Sequence, residues 1–215
     1  MPRDAAATRA RILAAAVEEF AQFGEAGARI DRIAEIAGAN KRSIYVYFGN
    51  KDGLFDATLV HVIDAMTTEV PLTETDLPGY AGRLFDYLLE HPEGWRLSMW
   101  RQLERPASGP DDSPIFARKI KAMHRSSAPK TGLPPTDLIA LVMALTVAWF
   151  INPTALLTAD GADIGSPARI ATHRAALVEA ARRICEPQSV ESAGAHPGNQ
   201  HRAKPSKGRS ESQLK

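Results

Sequence analysis

The sequence predicts an all-α protein with a small N-terminal three-helix domain, which contains a helix-turn-helix, followed by a larger helical domain. Three observations support this prediction. Apolar residues recur every three or four positions along most of the chain to residue 186, and no segment alternates convincingly as a strand does. A Gly-Ala pair separates two short helical patterns between residues 29 and 51. The chain has 215 residues, 44% of them hydrophobic, which is enough for a sizeable core in one or two domains.

The first helix is predicted to begin at Asp4 or Thr8, because either side chain can cap it, and to continue to about residue 23. Glu18 and Glu19 lie mostly outside its apolar stripe, which comprises Ile12, Leu13, Ala16, Val17 and Phe20. A glycine-containing loop follows. We expect this helix to pack behind the next two, since two short helices cannot bury their own apolar faces.

The stretch from Arg29 to Lys51 predicts two short helices joined by a tight turn. The buried side of the first helix is formed by apolar residues at helical spacing, namely Ile30, Ile33, Ala34 and Ala37. Gly38 breaks this pattern, and Asn40 can cap a second helix that buries Ile44 and Phe48. This arrangement is typical of a helix-turn-helix.

The exposed face of the second helix favours contact with nucleic acid. It carries two cations, two hydroxyl groups and one small apolar group, from Lys41, Arg42, Ser43, Val46 and Tyr47, with Lys51 just beyond. Such a mixture suits phosphates and base edges. An arginine can pair with guanine through two hydrogen bonds, and a valine can contact a thymine methyl. We therefore predict that this helix enters the major groove of DNA.

The charge distribution agrees with contact through one part of the chain only. Residues 29–51 contain 5 Lys and Arg against 2 Asp and Glu, whereas residues 52–186 contain 13 against 17. A mildly acidic middle beside a basic N-terminal domain suits a protein that touches a polyanion locally. The alternative explanation is that these charged residues are simply scattered over an ordinary protein surface.

Residues 52–68 predict a connector helix. Asn50 can cap it, and Asp52 places a carboxylate in its first turn, where the helix dipole favours it. Its apolar residues at three- and four-residue spacing are Leu54, Phe55, Leu59, Val62, Ile63 and Met66. Because the helix begins near the predicted DNA-facing surface and runs past it, we assign residues 1–51 to the DNA-binding domain and 52–186 to the second domain.

Two late helices are candidates for an interface between two copies of the chain. The first contains an apolar run, Leu138–Ile151, that is too short for a membrane span, which needs roughly 20 residues. Its alanines at four-residue intervals allow another helix to approach closely. The last helix runs from Pro167 to about Glu186. As halves of a four-helix bundle, they would contribute Leu138, Ala140, Leu141, Ala144, Leu145, Ala148, Ile170, Arg174, Leu177, Val178 and Ala181.

Other features narrow the function further. The sequence has no Gly-x-Ser-x-Gly, phosphate loop, dinucleotide fingerprint or His-Glu-x-x-His, so we predict no enzymatic activity and no cofactor. Its 6 histidines have no ligand spacing, which predicts no metal site. The lone Cys185 and the absence of a signal peptide predict a cytoplasmic protein without disulfides. Residues 187–215 predict a disordered tail that is either inert or weakly attracted to DNA.

The segment Gly38–Phe55, GANKRSIYVYFGNKDGLF, resembles the signature of the tetracycline-repressor (TetR) family of regulators. The matching positions are Gly38, Lys41, Ser43, Ile44, Tyr45, Tyr47, Phe48, Lys51 and Leu54. With the first helix, the resemblance covers roughly residues 8–66. It implies an all-helical homodimer whose N-terminal domain binds DNA and whose C-terminal domain holds a small-molecule pocket and the dimer bundle.

The resemblance also implies roles for single residues. Tyr47 and Lys51 would contact phosphates, and Tyr45 would lie partly against the groove. Base edges would be approached by Lys41, Arg42, Ser43 and Val46. The sequence departs from the family where Arg29 replaces a capping Thr or Ser, so we expect a charge contact there instead, and where Arg42 replaces a small residue, which indicates a different operator base.

By the same resemblance, we predict a repressor that a small-molecule ligand releases from a palindromic operator. The alternative is a helical carrier or protein-interaction module without specific DNA binding. The pocket would be lined by the bulky residues Phe85, Trp95, Met99, Trp100, Phe116, Met123 and Trp149. For each of them, the alternative is that it packs in the hydrophobic core without contacting a ligand. Their aromatic and methionine content favours an apolar, planar or lipophilic ligand.

Overall fold

The computed structural model describes residues 2–105 and 131–186, together with residues 117, 120, 121, 123 and 124, which are helical. Within these ranges the protein is all-α and contains no strand, in agreement with the sequence prediction. The predicted pocket residue Phe116 and the predicted disordered tail, residues 187–215, lie outside the described residues. No helix in the described ranges is both long and apolar enough to cross a membrane.

Within residues 2–105 and 131–186, the helices follow one another in chain order. They are α1 (Pro2–Gly27), α2 (Ile30–Ile36), α3 (Lys41–Phe48), α4 (Lys51–Glu69), α5 (Leu77–Glu90), α6 (Pro92–Glu104), α7 (Pro135–Ile151), α8 (Thr154–Leu157) and α9 (Pro167–Cys185).

The helix starts predicted at Asn40 and Asn50 are present in the structure. The Asn40 side chain accepts a 2.8 Å hydrogen bond from the Arg42 amide at the start of α3. Asn50 accepts a 2.7 Å hydrogen bond from the Gly53 amide at the start of α4. Between α2 and α3, Gly38 has a φ of 56°, a left-handed conformation that favours glycine. These local interactions end one helix and begin the next, and so set the turn of the helix-turn-helix.

The first core is shared by α1, α2, α3, the first half of α4 and one residue of α6. The rings of Phe20 and Phe55 pack edge to face, with their centroids 5.1 Å apart. The core continues beyond residue 51 through Leu54, Phe55 and Leu59 of α4, and α6 adds the fully buried Leu97. The boundary at residue 51 stays a prediction, but the apolar core does not end there.

The second core lies between α5, α7 and α9. Phe85 of α5 is fully buried, and its ring meets that of Trp149 in α7 edge to face at 6.3 Å. Helix α9 approaches α5 closely at Gly82, where an added Cβ would lie 3.0 Å from the Arg174 guanidinium. The Nε of Arg174 donates to both carboxylate oxygens of Asp86, at 2.7 and 2.9 Å. Helix α9 is therefore fixed on its own chain by both packing and an ion pair.

Candidate nucleic-acid interface and small-molecule cavity

Helix α3 presents a mixed polar and apolar surface to solvent. Ile44 is fully buried and fixes the helix on the first core. On the opposite side Lys41, Arg42 and Tyr45 are exposed, and Val46 is 72% exposed. An isolated valine on a cationic face has no packing role in the described chain, and contact with a thymine methyl would bury it. The structure thus brings three of the four predicted base-contacting residues, Lys41, Arg42 and Val46, together on one face.

The remaining predicted DNA contacts lie at the margins of this face. Ser43 and Tyr47 are half-buried, and the Tyr47 ring packs edge to face against Phe48 with centroids 6.2 Å apart. Lys51 begins α4, and its Nζ donates to the Ala26 carbonyl at 3.3 Å. Both Tyr47 and Lys51 are thus held by the protein at the edge of α3, where a phosphate contact would fix the position of that helix.

The N-terminus of α2 is held by a carboxylate group from α1. Within the described residues the Arg29 side chain makes no capping hydrogen bond. Instead, the Arg29 amide donates to Glu19 Oε1 at 2.7 Å. The Nε of Arg32 donates to both Glu19 oxygens at 2.9 Å. The Arg32 guanidinium also lies 4.2 Å from the centroid of the Phe23 ring. Glu19 therefore holds the start of α2 through the Arg29 amide and the Arg32 side chain, whereas a Thr or Ser at position 29 would accept from an amide two or three residues later.

The position of Glu19 corrects the sequence prediction that it lies outside the apolar stripe. The residue is only 3% exposed. Burial alone raises the pKa of its carboxyl group, but hydrogen bonds from Arg32 and from the Arg29 amide, together with the positive charges, outweigh this effect and lower the pKa. Its spacing of three and four residues from Ala16 and Ala15, both buried, is the signal that could have placed it on the buried side.

A cavity of about 170 Å³ lies between α4, α5, α6 and α7. Its apolar walls include Val62, Ile63 and Met66 of α4, Leu84 of α5, Trp95 of α6 and Val147 of α7. Polar groups at its surface come from Thr67, Tyr87, Ser98, Arg101 and Gln102. The cavity is thus mainly apolar, with a few hydrogen-bonding groups, as is typical of small-molecule sites.

Tyr87 is one of the residues that line the cavity, and its hydroxyl group is a hydrogen-bond donor. Burial raises the pKa of Tyr87, and the negative charges of Glu69 and Glu93 raise it further, so the group stays protonated. The Ser98 hydroxyl already donates to the Gly94 carbonyl at 3.1 Å, so it is better placed to accept than to donate.

Most of the predicted pocket residues have other positions. Trp95 lines the cavity, whereas Phe85, Met123 and Trp149 belong to the second core. Met99 is not part of the described cavity wall, and Trp100 instead faces Gly24 of α1. The assignment of a ligand pocket stays a prediction, and these positions have a simple cause, since bulky buried residues fill a core and smaller or flexible ones leave space. The cavity-lining residues of α4 belong to the apolar stripe that the sequence predicts for this helix, but the stripe predicts packing and does not indicate a cavity.

Helix α6 links the cavity to the first domain. Gly24 has a φ of 67°, and an added Cβ would lie 2.9 Å from both the Trp100 ring and Glu104 Oε1. Glu104 Oε2 accepts hydrogen bonds of 3.0 and 3.3 Å from the amides of Glu25 and Ala26. The next residue in the chain is Arg105. The end of α6 is therefore fastened to the end of α1, directly before the helix-turn-helix.

Arg105 strengthens the same junction. Its guanidinium pairs with Glu25 of α1, with Asp56 of α4 at 3.0 Å and with Asp52 at 3.7 Å. It also lies 5.4 Å from the centroid of the Phe55 ring. The hydrogen bond from Arg105 to Glu25 is the leading cause of the raised pKa of Arg105, with contributions from the two aspartates. Helices α1, α4 and α6 thus meet around one cation.

The predicted interface residues fall into two groups. Ala140, Leu141 and Ala144 are exposed on α7, with Leu141 45% exposed. The half-buried members are Leu145, Ala148, Ile170, Arg174 and Val178. By contrast, Leu138, Leu177 and Ala181 are buried in the second core of their own chain. Because these three side chains are buried in their own chain, they are not exposed for contact with a second copy.

Comparisons with known proteins match both parts of the chain. Residues 12–58 match the family model described as bacterial regulatory proteins, tetR family, and residues 76–183 match the model described as tetracyclin repressor-like, C-terminal domain. The HTH-type transcriptional repressor SCO4008 of Streptomyces coelicolor is 38% identical over 192 residues, which cover 86% of this chain and 98% of SCO4008.

Solved structures agree with these matches. The crystal structure of SCO4942 from Streptomyces coelicolor, described as a transcriptional regulator, aligns with a TM-score of 0.70 at 35% identity, covering 82% of this chain and 97% of that chain. NalD of Pseudomonas aeruginosa, described as the secondary repressor of the MexAB-OprM multidrug efflux pump, aligns with a TM-score of 0.56 at 20% identity, covering 86% of this chain and 98% of NalD. At that identity the second alignment supports the fold alone.

Proposed function

The chain belongs to the TetR family, and on this premise we propose that it is a repressor that leaves its operator when a small-molecule ligand occupies the cavity beside α4. As a member of this family it is a sequence-specific DNA-binding transcriptional regulator and not an enzyme. The name of its relative SCO4008, which it matches over nearly the whole length of that protein, supports repression over activation. A cytoplasmic location follows from the need to reach DNA.

The observation that carries the DNA-binding proposal is the exposed face of α3. Arg42 would pair with a guanine, and the highly exposed Val46 would contact a thymine methyl. Tyr47 and Lys51, held at the edges of this face, would contact phosphates. Arg29 is exposed at the start of α2 and would add a charge contact to the backbone. The N-terminal family match at residues 12–58 covers this whole unit, which favours a DNA-binding protein over a carrier.

We propose a homodimer that binds a palindromic operator. A two-fold dimer places two recognition helices in successive major grooves, about 34–36 Å apart. The exposed stripe of Ala140, Leu141 and Ala144 would form the centre of a four-helix bundle with the matching stripe and α9 of a second copy. Small residues allow close helix approach, and burying Leu141 supplies apolar contact area.

The cavity is the proposed ligand site. Its volume of about 170 Å³ is close to that of an engineered apolar cavity of about 150 Å³ that binds benzene. A compact, largely apolar ligand with one hydrogen-bond acceptor for Tyr87 would fit this space and its lining. The aromatic wall at Trp95 favours a planar ligand.

Two helices would carry the effect of the ligand to the DNA. Helix α4 contributes Leu54 and Phe55 to the first core and Val62 and Met66 to the cavity wall. Helix α6 contributes Trp95 to the same wall and is fastened to α1 beyond it. A ligand that binds one position of these helices better than another shifts the separation of the two recognition helices, and thereby operator affinity.

The proposal is tested by fluorescence anisotropy with labelled DNA from the region flanking the gene of this protein, across a series of salt concentrations. We expect tight binding to one fragment, weaker binding to random DNA, and salt dependence in both cases. Compact aromatic compounds are then added to the bound complex, and a compound that occupies the cavity should release the DNA. A protein that binds all fragments equally, or none, contradicts DNA recognition by α3. A cavity ligand that leaves operator affinity unchanged contradicts the switch.

A further inference from the structure

An ion pair joins the two helices of the helix-turn-helix at the end proposed to meet DNA. Asp31 lies in the first turn of α2, and Lys41 is the first residue of α3. The Lys41 Nζ lies 2.7 Å from Asp31 Oδ1, and the Asp31 side chain is 75% exposed. In helix-turn-helix complexes the N-terminal residues of the recognition helix contact base edges. A carboxylate therefore stands beside the part of the surface where base contact is proposed.

We propose that Asp31 is a specificity-determining residue, which withholds Lys41 from the phosphates of random DNA and, by staying paired with it, holds its ammonium group toward a base edge in the operator. This inference rests on the proposed function, because it requires that α3 reads DNA. It concerns only how strongly the protein discriminates between operator and other sequences.

The chemistry of the exchange explains the discrimination. A free lysine on this face would bind phosphates of any duplex and so strengthen non-specific binding. When Lys41 is paired with Asp31, moving it to a phosphate exchanges one oxyanion for another and leaves Asp31 unpaired beside a polyanion. In the operator, close docking of α3 presents O6 and N7 of a guanine, which are acceptors for lysine in the major groove. The Lys41 ammonium group has three N–H donors, so it can donate to the guanine while it stays paired with Asp31.

The pair is not needed to hold α2 and α3 in place. An ion pair between two exposed side chains contributes little to folding. The turn between the helices is set instead by the Asn40 cap and the conformation of Gly38, and α2 is fixed by Glu19. Replacing Asp31 by Asn should therefore leave the melting temperature unchanged, which separates an effect on DNA from an effect on folding.

The experiment compares Asp31→Asn with the wild-type chain on two DNAs, an operator selected from a random pool and a scrambled duplex of the same length. Association constants are measured by anisotropy from about 50 to 200 mM salt. For Asp31→Asn we expect scrambled-DNA affinity to rise about fivefold, with a slope of log K against log salt steeper by about 0.9, the value for one additional phosphate contact. Operator affinity should change less than about twofold, so that the specificity ratio falls.

Two further variants make the result decisive. Glu90→Gln removes one exposed negative charge in the second domain and should leave both affinities unchanged. In a Lys41→Met background, Asp31→Asn should no longer steepen the salt slope, since the proposed effect passes through Lys41. The inference is overturned if Asp31→Asn raises the affinity for both DNAs equally, or if it does not raise the affinity for scrambled DNA. It is also overturned if Asp31→Asn steepens the salt slope as much in the Lys41→Met background as in the wild type. A wild-type chain that shows no sequence selectivity would overturn the proposed function itself.

Discussion

Replacing the buried Glu19 by Gln should destabilise the first domain in a pH-dependent manner. The substitution preserves the shape of the side chain and one acceptor for the Arg29 amide, but it removes the charge that holds Arg32. Breaking a fully buried ion pair costs about 3–5 kcal/mol. Because the Arg32 side chain is 36% exposed and can regain water, we reduce this value to about 2 kcal/mol. The assay is urea unfolding of the full chain at fixed protein concentration.

The pH dependence follows from the direction of the pKa shift. The Glu19 pKa is lower in the folded protein than its ordinary value of 4.5, so its stabilising effect is fully present above that pH and is lost as the pH falls through the folded pKa. The difference in the free energy of unfolding between wild type and Glu19→Gln should thus be constant from pH 7 to pH 5 and shrink below about pH 4.5. Glu18→Gln, at the exposed neighbouring position, is the matched control and should cost less than about 0.5 kcal/mol. A Glu19→Gln variant as stable as this control, or a difference that does not change with pH, would refute the reasoning.

Three other variants probe the proposed DNA contact, the interdomain junction and the dimer. Arg42→Ala should cost about 1–3 kcal/mol of operator affinity and relax base preference in anisotropy titrations, and an equal loss on random DNA would show a phosphate contact instead. Gly24→Ala should lower the free energy of unfolding in urea titrations by about 1–3 kcal/mol, since the Gly24 backbone is left-handed and an added Cβ would lie 2.9 Å from Trp100; an unchanged free energy of unfolding contradicts this. Leu141→Glu should convert dimers to monomers in sedimentation velocity, whereas Leu156→Glu, exposed on α8, should not; a dimeric Leu141→Glu protein contradicts the proposed interface.

The features predicted correctly from the sequence are those set by local interactions. The caps at Asn40 and Asn50, the turn at Gly38 and the exposed face of α3 depend on residues within one or two helical turns of each other. The apolar period of 3–4 residues is likewise local, so the all-α class and the order of the helices could be predicted. The resemblance at Gly38–Phe55 then identified the family that the comparisons show.

The features that the sequence did not predict depend on partners distant in the chain. The burial of Glu19 is stabilised by Arg32, 13 positions later, and a charged residue without a known partner is normally assigned to the surface. Leu97 of α6 packs into the first core, although it lies in the second predicted domain. Helical periodicity shows which side of a helix faces the protein interior, but not whether that side packs in a core or lines a cavity. For this reason periodicity alone does not distinguish Phe85, which packs in the second core, from Val62, which lines the cavity.

The central claim is that α3 reads a specific DNA sequence as one half of a symmetric dimer. The most direct measurement is selection of bound duplexes from a random pool by the full chain, followed by sequencing. We predict an enriched two-fold symmetric site whose half-sites are centred about 10–10.5 base pairs, or a multiple of that distance, apart. The enriched base opposite Arg42 should be a guanine, and its enrichment should disappear with Arg42→Ala. A pool without an enriched sequence, or an enriched site without symmetry, would contradict the account.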